Sequence, residues 1–431
     1  MKALLRYNSI LILVIFIFLN ILRAEEINQN QNTQLDLLIN LALKTNNQIQ
    51  ALGNKTESLK YKADQSKKLD FPVISYSYYI DEVETRVGSQ KQAYNIMQSF
   101  PFFGKLRTRF HISNSLYKAY ESQYYALIDT VVFNIKDTYY EYIYLMKSID
   151  TTREHIKLLE SFENLINIKY KTNKAGYQDA LRVQIELDKI KNKLRALESY
   201  RVPIISRLIT LAGSEKIENI IKETDAKYPD VLPDIPNKEK ITKQIFKTNP
   251  ILKEQSFYVK EAENKVKLSK LNYFPDYALG VTYIDTEKRD LDMVDNGKDP
   301  FILMVKLKLP IWFKKLNAEM KKSKYDLLAK EEKYKHIEYK LKEQLEYIYY
   351  KIEDGHRKIE LYRDSLVPKA EASLKTIHTK YKAGSMDFLN LIEAERLLLD
   401  LKLEYFQSIK IYCQQLAELE KIIGKQLEEK I

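Results

Sequence analysis

The sequence predicts a mostly α-helical chain with a short membrane-type β-segment, arranged as two tandem helix–hairpin–helix–helix repeats. Three observations predict this class: landmarks that recur at a nearly constant spacing, short alternating strand patterns, and helical patterns too long for an ordinary globular domain. The landmarks recur in one order: Lys44-Thr45-Asn46 as Lys247-Thr248-Asn249 (247 − 44 = 203), Phe71-Pro72 as Phe274-Pro275 (274 − 71 = 203), Pro101 as Pro310 (310 − 101 = 209), and Lys174-Ala175-Gly176 as Lys382-Ala383-Gly384 (382 − 174 = 208). A duplicated unit accounts for all four.

The amino terminus has the pattern of a secretory signal, predicted over residues 1–24. Lys2 and Arg6 form a basic start, Ile10–Leu22 is an apolar core, and Ala24 is a small residue at a cleavage site. The alternative is a membrane-spanning anchor, for which the apolar core is short of the roughly 20 residues that a span needs.

The formal net charge of +11 raises the possibility of nucleic-acid binding. Lysines and arginines are, however, interleaved with acidic residues along helical patterns, as in Lys321–Lys342, which is typical of solvated helix faces. We therefore expect no nucleic-acid partner. The single cysteine, Cys413, lies within a helical pattern, where a buried thiol is expected.

Each repeat begins with a helical pattern, about Leu35–Asp70 in the first copy, and continues into a hairpin. The predicted strands cover about 73–80 and 92–100 around a polar segment, Asp81–Lys91, and about 276–284 and 301–309 in the second copy.

Alternation gives each hairpin one apolar, aromatic face and one face of small or polar residues. Strands of about 9 to 11 residues with this pattern are typical of a membrane β-barrel wall, although a hairpin half-buried on a soluble core would show it too. In the barrel interpretation Lys306 and Lys308 line the lumen, because charges that face lipid are costly.

The long helical patterns cover about Gly104–Thr172 and, after a turn at Gly176, about Asp179–Ala212. A helix of about 65 to 70 residues would be on the order of 100 Å long. The near-3.5 period of the second return helix predicts coiled-coil-like neighbours. With glycine stops at Gly213 and Gly424, the repeats are predicted over 25–213 and 237–431, joined by a linker over 214–236.

Four strands cannot close a barrel in lipid, because open edges leave backbone groups unpaired at several kcal/mol each. Three chains would supply twelve strands and twelve helical rods, the simplest closed arrangement. A hollow helical cylinder continuous with a barrel would be a conduit.

The order of signal, helix, hairpin, long helix, glycine turn and return helix, given twice, resembles the TolC-like outer membrane efflux family. Tyr381-Lys382-Ala383-Gly384 with Asp387–Glu395 is similar to the family's tip motif, and Tyr170 with Asp179-Ala180-Leu181 forms the first copy. Gln98–Leu106 looks like the strand-to-helix junction of the heavy-metal branch.

The resemblance implies a homotrimer with a shared twelve-stranded barrel in outer membrane lipid and a long α-helical barrel through the periplasm. It implies a passive duct for drugs or metal ions, coupled to a periplasmic adaptor and an inner-membrane pump of the RND type. It also implies site residues: tips that contact the adaptor and an entrance constriction, here Lys174, Ala175, Gly176, Lys382, Ala383 and Gly384 for the tips, and Asn390 and Glu393 for the constriction.

Two alternatives stay open: the duct of type I protein secretion, and a secreted coiled-coil scaffold that forms no pore. We expect no catalytic residue and no cofactor, because no nucleophile motif, P-loop or dinucleotide fingerprint is present in the sequence. The five histidines lack metal-ligand spacing, so no metal site is expected within one chain.

Overall fold

The computed structural model describes residues 34–173, 175–223, 228, 232–290, 292 and 294–425. The predicted signal and Lys174 lie outside these residues, as does part of the predicted linker. The chain forms two compact units. The helical unit contains the described residues up to Ile49, together with Ile128–Lys243 and those from Gln344 onward; the sheet unit contains Gln50–Leu127 and Gln244–Glu343.

Helices account for most of the described chain. In order they are α1 (Gln34–Thr45), α2 (Asn47–Ser66), α3 (Lys105–Lys171), α4 (Tyr177–Ala212), α5 (Ile217–Glu223), α6 (Lys238–Thr248), α7 (Pro250–Leu271), α8 (Phe313–Leu361), a π-helical turn (Tyr362–Leu366), α9 (Val367–Ala383) and α10 (Phe388–Ile423). No helix in the described part of the chain is both long enough and apolar enough to cross a membrane.

The single helix predicted over Leu35–Asp70 is wrong, because Asn46 divides it. The Asn46 side chain accepts a hydrogen bond from the Ile49 amide at 2.9 Å and donates to the Leu211 carbonyl at 2.6 Å. Asn249 accepts from the Leu252 amide at 2.9 Å in the same way. The repeated Lys-Thr-Asn landmark therefore marks a helix end and an asparagine N-cap in both copies.

The two hairpins join into one antiparallel sheet in the order β1–β2–β3–β4. The strands are β1 (Val73–Thr85), β2 (Gly88–Phe100), β3 (Asp276–Thr286) and β4 (Phe301–Lys308). The first hairpin is longer than predicted: the polar segment Asp81–Lys91 is mostly strand. A shift of register between Tyr78 and Val83 breaks the alternation there, which hides the continuation from a period-two pattern.

One face of this sheet is apolar across all four strands. Successive rows of paired residues on it are Ile74, Ile96, Val281 and Leu303, then Tyr76, Tyr94, Tyr283 and Phe301. Apart from the half-buried Val281, these apolar side chains remain exposed in a single chain, up to 75% for Ile74. The opposite face carries small and polar residues, and Asn95 donates to the Thr282 hydroxyl at 2.7 Å across it.

An ion pair with a buried lysine fixes the passage from the sheet to the long helix α3. Lys105 is only 4% exposed and donates to the Asp276 carboxylate at 2.7 Å and to the Phe274 carbonyl at 3.0 Å. Asp276 also accepts from the Phe102 amide at 2.9 Å, and the Phe102 and Phe274 rings stack with centroids 4.5 Å apart. The first and second copies are therefore linked where strands become helices.

In the helical unit, α3, α4, α9 and α10 pack around one apolar cluster that includes Phe162, Val183, Leu374 and Leu391. Away from this cluster, α3 and α10 are joined by the ion pairs Lys136–Glu420 at 2.5 Å and Lys410–Glu141 at 2.8 Å.

The return helices α4 and α10 end as predicted, at left-handed glycines: Gly213 with φ 68° and Gly424 with φ 70°. Part of the predicted linker is ordered and packed, because it contains α5, whose Ile217 and Ile221 are buried.

Candidate functional site

The helical unit has a tip formed by two helix–turn–helix connections with matching backbones. In the first turn, Asn173 is left-handed (φ 53°) and Gly176 is the extended N-cap of α4. In the second turn, Gly384 is left-handed (φ 80°) and Asp387 is the extended N-cap of α10. The offset is the same at both positions: 384 − 173 = 211 and 387 − 176 = 211.

This offset of 211 residues corrects the alignment of the two turns by their Lys-Ala-Gly triplets. The repeated Lys-Ala-Gly triplets differ by 208, three residues less than the structural offset, so they occupy different places. Lys382 and Ala383 end helix α9 and Gly384 is its left-handed stop, whereas Ala175 and Gly176 lie at the end of the first turn, before α4. Of these, Lys382, Ala383, Gly384 and Gly176 are exposed and Ala175 is half-buried.

The two turns differ in their packing. Tyr381 and Phe388 flank the second turn with ring centroids 5.6 Å apart, and both are buried. Their counterparts at offset 211, Tyr170 and Tyr177, flank the first turn at 6.1 Å and are 46% and 62% exposed. Lys169 strengthens the burial of the second turn, because it donates to the Tyr381 carbonyl and lies 4.0 Å from the centre of its ring.

The predicted constriction residues, Asn390 and Glu393, lie in the first two turns of α10. Both side chains are exposed, and their spacing of three places them on one helix face. The structure therefore leaves both available to solvent in a single chain.

A bidentate ion pair beside them was missed by the sequence reasoning. Arg396, three residues after Glu393, donates from Nε to Glu186 of α4 at 2.8 Å and also from Nη2. The Arg396 hydrogen bonds lower the pKa of Glu186 below its ordinary value, against the opposing effect of burial, and Lys189 adds to the lowering. Because the partners are 210 residues apart, no local pattern predicts this link.

A second missed pair lies deeper in the tip. His155 of α3 is 3% exposed and Glu395 of α10 is fully buried, with His155 Nδ1 and Glu395 Oε1 2.6 Å apart. The other carboxylate oxygen of Glu395 has no hydrogen-bond partner among the described residues. Both missed pairs join helices of the first copy to α10 of the second copy.

In the sheet unit, the predicted lumen residues Lys306 and Lys308 lie on the small, polar face. Lys306 is paired in register with Ala278, and Lys308 with Asp276. Both lysine side chains are exposed. Within the described ranges, no group of three or more His, Cys, Asp or Glu side chains could hold a metal ion.

Comparisons with known proteins bear on the family and the fold of the chain. Residues 241–425 match the family model of outer membrane efflux proteins. The resemblance to the outer membrane efflux family is confirmed. No curated protein matches the sequence.

Solved structures show the same fold over nearly the whole chain. The outer-membrane channel OprN is 15% identical with a TM-score of 0.77, covering 91% of this chain and 90% of its own. VceC of Vibrio cholerae is 15% identical at 0.77, covering 92% and 97%, and CmeC of Campylobacter jejuni is 15% identical at 0.76, covering 92% and 87%. At this identity the likeness establishes the fold.

The match to the family model and the fold together support an outer membrane efflux channel as the role of this chain. Members of the outer membrane efflux family are channels and not enzymes.

Proposed function

We propose that three copies of this chain form a passive duct that receives its cargo from a pump complex and releases it outside the cell. The barrel lies in the outer membrane and the helical part extends through the periplasm. The cargo is a drug or a metal ion, delivered by an inner-membrane pump of the RND type through a periplasmic adaptor. The match to the efflux family model supports an outer membrane channel of this kind.

The four-stranded sheet carries the proposal. It exposes one continuous apolar face, and its outer strands β1 and β4 each pair with only one strand among the described residues. In lipid, the free edges would leave backbone groups unpaired at several kcal/mol each. Pairing β1 of one copy with β4 of the next removes every edge, and three copies then give twelve strands, within the range of known barrels.

The two faces of the sheet support the orientation of this barrel. Apolar rows would face lipid, and the small, polar face would enclose the lumen with Lys306 and Lys308 along it. The same orientation places the Asn95–Thr282 hydrogen bond in water rather than in lipid.

The tip of the helical unit is the proposed contact with the adaptor. Gly176, Ala383 and Gly384 are exposed at its turns, and the exposed rings of Tyr170 and Tyr177 provide apolar area beside them. Exposed aromatic rings are common anchors at protein interfaces. A photo-crosslinker placed at position 175 or 383 should capture the adaptor, and capture from mid-helix positions alone would contradict this assignment.

Asn390 and Glu393 form the proposed entrance constriction, where threefold repetition would bring three copies of each side chain together. Glu393→Gln should weaken block of the channel by multivalent cations, because it removes three negative charges from the ring. Glu404→Gln, at another exposed position on α10, is the matched control. Equal block in wild type and Glu393→Gln would contradict the constriction.

Disulfide trapping between strands tests the trimer directly, in a Cys413→Ala background. Ser75→Cys on β1 is combined in turn with Ile302→Cys, Met304→Cys or Lys306→Cys on β4. At least one combination should give a covalent ladder that stops at three chains. Asn95→Cys with Thr282→Cys, paired within one sheet, is the control that should close without a change in mass. A control that closes while no β1–β4 combination gives a ladder would overturn the proposal.

A further inference from the structure

One end of the sheet carries four connections between strands and helices. Because the strands are antiparallel in the order β1–β4, the start of β1, the end of β2, the start of β3 and the end of β4 meet at the same end. The segments 67–72, 100–109, 270–276 and 306–315 cover these connections, and we call them the junction belt. The opposite end of the sheet is covered by 81–91 and by the described residues of 285–299.

The two ends have opposite charge. The junction belt contains ten lysines and arginines and two aspartates, a balance of 10 − 2 = +8, of which the lumen-facing Lys306 and Lys308 contribute two charges. The opposite end contains five basic and nine acidic residues, a balance of 5 − 9 = −4. Closing a barrel does not by itself require the two ends of the sheet to have opposite net charge.

The charges are also used differently at the two ends. At the acidic end, Arg289 pairs with Glu84, Lys91 with Glu287 and Lys298 with Asp295, so three basic groups there are paired within the chain. In the junction belt, Lys105 is paired with Asp276 and Lys67 with Asp64, but several other cations are exposed and have no ion pair among the described residues. These cations include Arg107, Lys314 and Lys315.

Large apolar side chains are exposed beside these cations. Phe71 is 94% exposed, Phe103 76%, Trp312 74% and Phe313 61%. The Phe103 ring lies 6.3 Å from that of Tyr277, which places it on the apolar face of the sheet. Aromatic rings next to basic residues, at the limit of an apolar face, are the arrangement expected at a membrane–water interface.

We propose that the junction belt binds anionic phospholipids of the membrane leaflet at that end of the barrel. Arg107, Lys314 and Lys315 pair with headgroup phosphates, while Phe103, Trp312 and neighbouring rings lie at the level of the headgroups. The excess positive charge selects lipids with net negative charge over zwitterionic ones. The inference rests on the proposed membrane barrel and goes beyond it by assigning a lipid class to one leaflet.

Trp312 is the only tryptophan of the chain, so its fluorescence reports on this surface alone. The protein is reconstituted in bilayers with a fixed ratio of phosphatidylglycerol to phosphatidylcholine, in which only one of the two lipids carries bromine. At equal mole fraction, we expect brominated phosphatidylglycerol to quench Trp312 about threefold more than brominated phosphatidylcholine, since each basic group near the surface attracts anionic lipid. High salt should reduce this preference.

The double variant Lys314→Gln/Lys315→Gln should lose the preference while phosphatidylcholine still quenches. Lys321→Gln/Lys322→Gln, seven residues further along α8 and equally exposed, is the matched control and should keep it. The conductance of each preparation is measured in parallel, so that a failure of the barrel is seen separately.

Equal quenching by the two lipids in the wild type, in channels that conduct, would overturn the lipid assignment and leave the duct intact. Conducting channels in which neither lipid quenches Trp312 would also overturn it, because a neighbouring copy would then cover the belt. A protein that neither inserts nor conducts would overturn the proposed duct itself.

Discussion

The two turns at the tip of the helical unit share a backbone conformation but differ in the packing of the rings beside them. Asn173 and Gly384 adopt the same left-handed conformation, and Gly176 and Asp387 begin the next helix in the same way. Around the second turn, however, Tyr381 and Phe388 are buried, whereas Tyr170 and Tyr177 of the first turn are exposed.

This difference teaches that the two turns keep the same geometry while their packing has separated. The second turn is fixed to the core of its own chain, and Arg396 and Glu395 of α10 attach it to helices of the first copy. The first turn leaves its rings available to another chain. Four comparisons of residues from the two copies test this separation, and amide hydrogen exchange of the tip in the assembled protein measures each.

The largest effect should come from the aromatic residue after each turn. Phe388→Ala removes a buried ring and should lower the local opening free energy of the tip by about 3–5 kcal/mol. Tyr177→Ala removes an exposed ring and should change it by no more than about 0.5 kcal/mol. Similar losses of protection in the two variants would show that the turns are packed alike.

The next effect concerns position 395 and its counterpart, 184 (395 − 211 = 184). Glu395→Ala leaves the buried His155 without its acceptor, which should cost about 2 kcal/mol of local stability. Gln184 is exposed, so Gln184→Ala should be nearly neutral. Unchanged exchange in Glu395→Ala would mean that the buried pair does not hold the tip together.

The two glycines of the repeated triplet should respond differently to replacement by alanine. Gly384→Ala places a side chain at φ 80° and should cost about 1 kcal/mol, with no clash because no atom lies within 4 Å of the new Cβ. Gly176→Ala has an ordinary φ of −80°, and the poorer N-cap that alanine provides opposes its lower chain entropy, so the change should be within about 0.5 kcal/mol of zero. If the two variants were destabilised equally, Gly176 and Gly384 would occupy equivalent places. That result would favour an offset of 208 residues between the turns over the offset of 211.

The smallest effect should be a pH dependence of hydrogen-exchange protection in the second copy alone. Burial, and then the nearby charge of Lys382, lower the pKa of His378 below its ordinary value. The opened tip therefore binds a proton more readily than the closed one, so protection is complete above the ordinary histidine pKa of about 6.5 and decreases as pH falls through the lowered value.

His378→Asn introduces the residue found at the counterpart in the first copy, Asn167 (378 − 211 = 167). Exchange of α9 in this variant should no longer vary over that pH range, after correction for intrinsic exchange. A pH profile identical to that of the wild type would assign the dependence to another group.

Most of the fold could be predicted from the sequence because its signals are local and periodic. Proline-bounded alternation located the four strands, and the uninterrupted helical pattern of α3 predicted a helix of nearly the observed length. The glycine stops at Gly213 and Gly424 gave the ends of both return helices. The break at Asn46 escaped because an asparagine inside a helical pattern is an N-cap only when its side chain turns back onto the backbone.

The tip could be predicted only in part. Its place in the chain follows from the glycine turns, but the matching triplets suggested a register three residues away from that of the backbone. A left-handed residue can be asparagine as well as glycine, so Asn173 gave no signal beside the more conspicuous Gly176. The links Glu186–Arg396 and His155–Glu395 depend on contacts between distant residues that no local pattern contains.

The central claim, that the chain forms a duct, is tested most directly by single-channel recording of the purified mature protein in a planar bilayer, after its mass in detergent has been measured. We predict discrete, long-lived conductance steps from a particle of three chains. A protein that remains soluble without detergent and gives no steps would contradict the duct and make the hairpins part of a soluble scaffold.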